Sequence, residues 1–396
     1  MSSLNTTPSG ERPHIAFFGL RNAGKSSLVN AVTNQRLSVV SDVPGTTTDP
    51  VKKAMELLPL GPVVIIDTPG FDDEGALGEL RVETARRVLA QTDVAVLVLD
   101  AAKGKSAIDE ELLSMFRARK LPFAVAYNKA DTLQSRPALE ANELYTSALT
   151  GENVGAFKEL LALLLPDGEQ KKRLAADLLR PGELALLVVP IDKAAPKGRL
   201  ILPQQQVMRD LLDAGIAFAV CRETELAKTL EQLKTPPALV ITDSQVFSRV
   251  AQIVPDTVPL TSFSILFARY KGDLPLLLKG AEALSALKDG DTVLISEGCT
   301  HHRQCGDIGT EKLPAWIQNF SKKDLRFAFT SGGDFPENLS AYALVVHCGG
   351  CMLNEREMQS RLQHAASQGV PVVNYGLAIA EMHGILERSV AALSNH

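Results

Sequence analysis

The run Gly19-Leu20-Arg21-Asn22-Ala23-Gly24-Lys25-Ser26 sets two glycines, a lysine and a serine at the spacing of a phosphate-binding loop. Phosphate oxygens need inward-turned backbone N–H groups; glycine permits that turn, and a following helix presents its positive end. In this pattern Lys25 reaches the β- and γ-phosphates and the Ser26 hydroxyl binds magnesium. The run His14–Phe18 supplies the strand before the loop and Ser27–Val32 the helix after it. Alone, the loop leaves ATP and GTP both open.

Asp67-Thr68-Pro69-Gly70 follows the apolar run Val63–Ile66. A carboxylate there can hold the magnesium shell while the Gly70 N–H senses the γ-phosphate. Taken singly, such a tetrapeptide reads equally well as a strand-ending turn. Asn128-Lys129-Ala130-Asp131 closes the run Phe123–Tyr127. The Asp131 carboxylate can accept from N1–H and the exocyclic amine of guanine, a donor pair that adenine lacks. Ser147-Ala148 follows Glu143–Tyr145, where the Ala148 N–H would meet guanine O6. Between the first two motifs stands Pro44-Gly45-Thr46-Thr47-Thr48-Asp49, at the place of a switch loop. Motifs in this order, at the carboxyl ends of strands, predict a GTP-hydrolysing domain that cycles GTP and GDP with Mg2+.

These residues resemble the branch of translation-factor-related GTPases that includes MnmE and Era. The shared residues are Asn22-Ala23-Gly24-Lys25-Ser26-Ser27 and Pro44-Gly45-Thr46-Thr47-Thr48-Asp49. The resemblance implies that Thr47 joins Ser26 on magnesium and that Asn22 helps hold a K+ ion in place of an arginine finger. Phe71 follows Gly70 where Ras-like proteins carry a water-positioning glutamine. An aromatic ring cannot orient water, so the site must be completed otherwise; the potassium ion that the resemblance implies at Asn22 would stimulate hydrolysis. The alternative for Asn22 is that it only shapes the loop.

A second constellation lies far along the chain: Cys299-Thr300-His301, then His347-Cys348-Gly349-Gly350-Cys351. The glycine turn lets two thiolates face one metal, and both halves follow strand-like runs that would meet at one sheet edge. Three thiolates with an imidazole suit structural zinc, toward which spacing alone leans; three thiolates with one open iron suit an iron–sulfur cluster. Reduced thiols buried as small apolar side chains are the non-metal alternative. His302 and Cys305 read as bystanders near the site, and Cys221 as a packed strand-end residue.

A GTPase domain followed by this cysteine and histidine pattern resembles the FeFe-hydrogenase maturation GTPases, the HydF family, over nearly the whole chain. Val189-Pro190-Ile191-Asp192-Lys193-Ala194-Ala195-Pro196-Lys197-Gly198-Arg199-Leu200 is similar to that family's second domain. Cys299-Thr300-His301-His302-Arg303-Gln304-Cys305 with Asp307-Ile308-Gly309 is similar to its third. The resemblance implies that Cys299, Cys348 and Cys351 hold a 4Fe-4S cluster, with His301 and His347 as candidate fourth ligands or as supports. It also implies a carrier role: a di-iron precursor, made with the radical-SAM maturases HydE and HydG, passes to apo FeFe-hydrogenase. A homodimer is implied as well.

Positioning both sites requires strands that end together. The runs His14–Leu20, Val63–Asp67, Val94–Asp100 and Phe123–Asn128 alternate with helical stretches, the pattern of a doubly wound parallel sheet. Glu183–Pro190, Ala217–Cys221 and Ala238–Thr242 predict a narrow three-stranded sheet whose edges need cover. Thr292–Ser296, Arg326–Thr330, Leu344–Cys348 and Pro371–Asn374 predict a third sheet. The expected fold class is α/β: a Ras-like P-loop GTPase domain (13–168) after a disordered tail (1–12), followed by two smaller parallel-sheet α/β domains. These are a dimerisation domain (178–263) and a cluster domain (264–396).

Composition narrows the partners. At 45% apolar residues the chain is ordinary for a globular protein, and no apolar run approaches the ~20 residues that span a bilayer. The polar start lacks the apolar core of a secretory signal, so a cytoplasmic location without membrane is expected. A net charge of −5 with no basic stripe weighs against nucleic acid. That also weighs against the alternative of a ribosome- or tRNA-associated GTPase with a zinc-stabilised C-terminal domain. A nickel-inserting GTPase would want a histidine-rich tract, which the sequence lacks.

Overall fold

The structure, a computed structural model, describes residues 7–35, 50–70, 78–165, 172–191, 200–299 and 307–393, with side chains of 78–82 excepted. The chain divides into two compact units, Met1–Gln170 and Lys171–His396.

In the first unit the order is β1 (His14–Phe18), α1 (Lys25–Thr33), β2 (Val51–Leu57), β3 (Gly61–Asp67), α2 (Gly78–Leu89), β4 (Val94–Asp100), α3 (Ala107–Ala118), β5 (Phe123–Asn128), β6 (Glu143–Tyr145) and α4 (Val154–Leu164). The sheet order is β2-β3-β1-β4-β5-β6. Because helices cover both faces, β1 and β4 are continuous apolar runs. Ile15 and Phe17 join Leu28, Val32, Phe157 and Leu161 on one face. Ala16 and Phe18 join Val88, Leu89 and Phe116 on the other. Truncating Phe116 to Ala would cost about 3–5 kcal/mol, as is usual for a large core cavity. Helix α3 begins at a capping box in which Ser106 and Asp109 satisfy each other's backbone N–H.

Strand β2 was not legible in the sequence. It pairs antiparallel with β3, and Val51, Lys52 and Lys53 are exposed while only Met55 and Leu57 are buried. A lysine-bearing edge resists further strand addition, and the same lysines erase the apolar run that marks a central strand.

The second unit carries β7 (Leu184–Val188), α5 (Leu202–Asp213), β8 (Ala217–Cys221), α6 (Leu226–Gln232), β9 (Leu239–Thr242), α7 (Phe247–Ile253), β10 (Leu260–Ser262) and α8 (Phe263–Tyr270). It continues with α9 (Leu274–Glu282), β11 (Thr292–Glu297), α10 (Leu313–Ser321), β12 (Arg326–Ser331), β13 (Leu344–His347), α11 (Glu355–Ser367), β14 (Val372–Asn374), α12 (Tyr375–Met382) and α13 (Leu386–Ala391). Two parallel sheets result, β10-β9-β7-β8 and β12-β11-β13-β14.

The middle sheet therefore has four strands among the described residues, where three were expected. The added strand β10 is Leu-Thr-Ser, too short and polar to show as an apolar run, yet Thr261 and Ser262 are fully buried. Helix α8 follows at once, capped by the Ser262 hydroxyl, which accepts from the Ile265 N–H. Its residues Phe263, Ile265, Leu266 and Phe267 belong to one apolar core that runs through both sheets of this unit.

Candidate functional site

The phosphate loop leaves β1 through a position that only glycine fits. A Cβ on Gly19 would lie 2.3 Å from the Val98 carbonyl oxygen of β4. Asn22 takes a left-handed φ of 65°, which its short polar side chain tolerates. At Gly24 a Cβ would meet Asn128 Nδ2 at 2.2 Å, and this close approach is put to use. Asn128 Nδ2 donates to the carbonyls of Ala23 and Gly24, both at 3.2 Å. Its Oδ1 accepts from the Ala148 N–H at 3.0 Å. One buried amide thus ties the phosphate loop, the end of β5 and the 147–148 turn together.

Helix α1 starts at Lys25, whose ammonium pairs with Asp67 Oδ1 in a buried ion pair. Ser26 Oγ donates to Asp67 Oδ2 at 3.1 Å. The register between β1 and β3, Phe17 opposite Asp67, is what brings these groups together. Gly70 comes directly against the loop: a Cβ there would lie 3.1 Å from Arg21 Cα. Asp131 accepts from the Ser147 hydroxyl, and that hydroxyl in turn accepts from the Thr150 N–H at 3.1 Å. Lys129, at a left-handed φ of 62°, pairs with Asp100 at 2.7 Å. Burial opposes ionisation of Asp100, but the Lys129 hydrogen bond, the Ala102 N–H and nearby lysine charge outweigh it and lower its pKa. Thr47, the rest of the 44–49 loop and Phe71 lie outside the described residues.

The thiol site stands at the carboxyl edge of the third sheet. Ser296, His347 and Asn374 are paired across β11, β13 and β14. One residue further along come Glu297, the end of β11, Cys348, just after β13, and Tyr375, the first residue of α12. The backbone N–H groups of Gly298 and Gly350 point at Cys348 Sγ, at 3.0 and 3.4 Å. Gly350 turns with φ 64°, and Cys351 follows it. A Cβ on Gly298 would strike the Leu353 side chain at 2.7 Å, so the chain before Cys299 passes close to the cysteine turn.

Burial pushes the Cys348 thiol up, and Glu297 adds to the effect while the two N–H groups oppose it. Burial pushes Cys351 up to about 12, helped by the neighbouring Cys348 and Cys299. Among the described residues, no group of three Cys, His, Asp or Glu side chains is gathered on a single ion position. As thiolates these sulfurs would repel one another without a cation between them, and two N–H donors are aimed at the Cys348 sulfur.

His347 is fully buried, and both ring nitrogens are engaged. Nδ1 is 2.8 Å from the Cys348 carbonyl oxygen, and Nε2 is 3.3 Å from Arg361 Nη1. Burial foremost, then the Arg361 charge, lower its pKa to about 3, so the ring is neutral. Nδ1–H then donates to the Cys348 carbonyl and Nε2 accepts from Arg361. Arg361 is itself fixed by the Gly332 carbonyl at 2.6 Å and by Glu357 at 2.7 Å. Expected as a candidate ligand or as a support, His347 has a partner at each ring nitrogen, the Cys348 carbonyl and Arg361. His301, the other candidate, lies outside the described residues, as do His302 and Cys305.

Three contributors escaped the sequence reading. Lys271 is 1% exposed; its ammonium donates to the Leu353 carbonyl at 2.8 Å and lies 3.4 Å from the Cys351 carbonyl. Glu297 and Tyr375 flank Cys348. A lone lysine at a helix end and a tyrosine opening another carry no spacing signal, since tertiary packing alone brings them to the turn.

Three sequence profiles match the chain. One described as a 50S ribosome-binding GTPase covers residues 14–129. The hydrogen maturase F dimerization domain covers 174–272, and the hydrogen maturase F tetramerization domain covers 275–392. The tRNA modification GTPase MnmE of Prochlorococcus marinus is 32% identical over 217 residues, 54% of this chain and 42% of that protein. GTPase Der of Solidesulfovibrio magneticus is 32% identical over 166 residues, 40% of this chain and 37% of that protein. GTPase Era of Heliobacterium modesticaldum is 25% identical over 222 residues, 48% of this chain and 74% of that protein. The chain thus spans less than half the length of the MnmE and Der relatives. A solved Era structure from Aquifex aeolicus, bound to GDP and AlF4−, aligns with a TM-score of 0.35 at 22% identity, over 53% of this chain and 91% of that one. No described helix is long and apolar enough to cross a membrane. The first unit is a GTP-binding GTPase domain of the Ras-like P-loop fold, and the two profiles behind it together take up more than half of the sequence: the chain belongs to the hydrogen maturase F family.

Proposed function

We propose that this protein is a GTP-hydrolysing scaffold that holds a 4Fe-4S cluster on Cys299, Cys348 and Cys351 and delivers a di-iron precursor to apo FeFe-hydrogenase. The observation that carries the reading is Cys348: a half-buried thiol receiving two backbone N–H groups, beside Cys351 and Cys299, on a chain of this family. When bound, the cluster supplies an exchangeable iron position at which cargo can be taken up and released. The protein's own residues do the rest. Gly298 and Gly350 donate to sulfur, His347 and Arg361 orient the turn, and Lys271 balances negative charge from behind it.

The GTPase domain is the timing device. Lys25, Ser26, Ser27, Gly19, Ala23 and Gly24 hold phosphate, with Thr47 and Asp67 on the magnesium side and Gly70 reporting the γ-phosphate. Asn128, Lys129, Asp131, Ser147 and Ala148 select guanine. Asn22 holds potassium and speeds hydrolysis. Equal rates in potassium and sodium chloride would remove that last role.

Assembly fits the same reading. Strand β8 is the edge of its sheet; Val220 on it is 47% exposed, and Ile191 beside it is 71% exposed. With Val189 and Leu200 they line an apolar hollow of about 430 Å3. A second copy covers this edge, and higher assembly follows through the third sheet's domain. The ribosome- or tRNA-associated alternative draws on the GTPase domain alone, and the two domains behind it give it no support.

The test is anaerobic reconstitution with iron and sulfide, comparing wild type with a Cys299→Ser, Cys348→Ser, Cys351→Ser triple variant by visible and EPR spectra. A colourless wild type with stoichiometric zinc would sink the cluster reading. A loaded wild type that cannot activate apo FeFe-hydrogenase would sink the delivery role.

A further inference from the structure

A sheet edge invites a further strand, because its outer backbone N–H and C=O groups face no neighbour, and folded proteins blunt such edges by charge or by shortness. Most edges among the described residues are treated in this way. Strand β2 bears exposed lysines, and β6, β10 and β14 are three residues each. Strand β8 borders the apolar hollow at Val220. The remaining edge, β12, is six residues long and has only Arg326, at its first position, as a charge.

Among the described strands β12 pairs with β11 alone. Phe329 on it is 41% exposed, although Ile295, its register partner on β11, is buried. Side chains alternate along a strand, so Phe327 and Phe329 share one face. The two ends carry opposite charge: Lys322 and Arg326 are exposed at the start, Asp334 and Glu337 beyond the end. An edge of that polarity complements itself when the second strand runs the other way.

We infer that β12 is the edge on which two copies of this chain join, antiparallel about a two-fold axis, so that their third sheets become one continuous sheet. The occupant is a second copy because a two-fold contact requires a self-complementary surface, which this edge is, and because the tetramerization profile spans this strand. With the axis at Ala328, each Phe327 stands opposite Phe329 of the other copy, an aromatic cross-strand pair. The basic start of each strand then lies toward the acidic end of the other. This rests on the assembly reading above and gives it a surface: β8 joins two copies, and β12 joins the pairs.

The contact has a route to the thiol site. Directly after β12 the Gly332 carbonyl accepts from Arg361 Nη2 at 2.6 Å, and the Arg361 guanidinium lies 5.3 Å from the Phe335 ring centre. Arg361 Nη1 is 3.3 Å from His347 Nε2, and His347 Nδ1 is 2.8 Å from the Cys348 carbonyl oxygen. Pairing of β12 holds the turn that carries Gly332, and with it the arginine behind the cysteine turn.

The experiment follows the full chain by analytical ultracentrifugation over a dilution series. The proteins are wild type, Phe329→Lys, Arg326→Asp, Asp334→Arg and the double reversal Arg326→Asp, Asp334→Arg. Wild type is expected to reach a tetramer. Phe329→Lys should raise the tetramer-to-dimer dissociation constant at least about tenfold, as loss of an interface anchor does, and leave the dimer intact. Each single reversal should weaken the tetramer and the double reversal should restore it, a recovery that general loss of folding would not give. Hydrogen exchange on wild type should show the amides of 326–331 protected in the tetramer and released in the dimer. A wild type that never exceeds a dimer overturns the assembly reading and this inference with it. A wild-type tetramer that Phe329→Lys and both single reversals leave equally tight overturns this inference alone. If the variants do not fold, amides of 326–331 that exchange equally fast in tetramer and dimer overturn it as well.

Discussion

Asn128 Nδ2 lies 3.2 Å from the Gly24 carbonyl oxygen, so a residue of the guanine motif holds the phosphate loop in shape. The contact exists because Gly24 has no Cβ, and because β5 and β1 end at the same sheet edge with only β4 between them.

Asn128→Ala should therefore damage phosphate binding as well as base binding. It removes two donors to the loop and the acceptor for the Ala148 N–H, each bond contributing about 0.5–1.5 kcal/mol. Calorimetry should show GDP and inorganic pyrophosphate both binding more weakly, GDP by about tenfold or more. A loss confined to GDP would mean that the strut does not shape the loop.

Asp131→Asn should move the base preference. The carboxylate that accepts two guanine donors becomes an amide that matches xanthine, so GDP affinity should fall about a hundredfold while XDP affinity rises. Fluorescent-nucleotide competition reads both. An unchanged ratio would remove Asp131 from the base pocket.

Lys271→Met tests the charge behind the cysteine turn. Its ammonium lies against the Cys351 and Leu353 carbonyls, so its charge favours the more negative state of anything the thiols hold. The reconstituted cluster's reduction potential, followed by EPR redox titration, should become more negative by tens of millivolts. Lys271→Arg should shift it less. The metal-free variant should also melt lower, because the Leu353 carbonyl loses its donor.

Val220→Lys places a charge on the exposed edge strand β8. A surface change of this kind costs the folded chain within about 0.5 kcal/mol. Light scattering should nonetheless show the dimer shifting toward monomer, with melting temperature and GDP affinity unchanged. A dimer of undiminished strength would move the interface elsewhere.

Local signals carried a good part of this molecule. Glycine at positions 19 and 24 is required by contacts with Val98 and Asn128, and the spacing of Lys25, Ser26, Asp67 and Asp131 survives folding because each stands at or just after the end of a strand of the same sheet. Most strands legible beforehand were buried apolar runs, and the edges β8 and β12 showed by their Phe and Ala content; β2 and β10 did not show, one being a lysine-bearing edge and the other three residues ending in Thr and Ser. Cys348 and Cys351 were legible as a glycine turn between thiols, and their neighbours were not.

The sequence by itself determined the kinds of chemistry present: a guanine-nucleotide site, a set of three thiols, and three strand–helix alternations to carry them. Tertiary structure alone decided which groups face those sites. Register across β11, β13 and β14 sets Ser296, His347 and Asn374 side by side, so that Glu297, Cys348 and Tyr375 follow at one sheet edge. Packing of α8 and α11 brings Lys271 to the cysteine turn and sets Arg361 against Nε2 of His347. The physical reason is that motif spacing is a local constraint on one strand end, whereas register and burial join residues that no spacing relates.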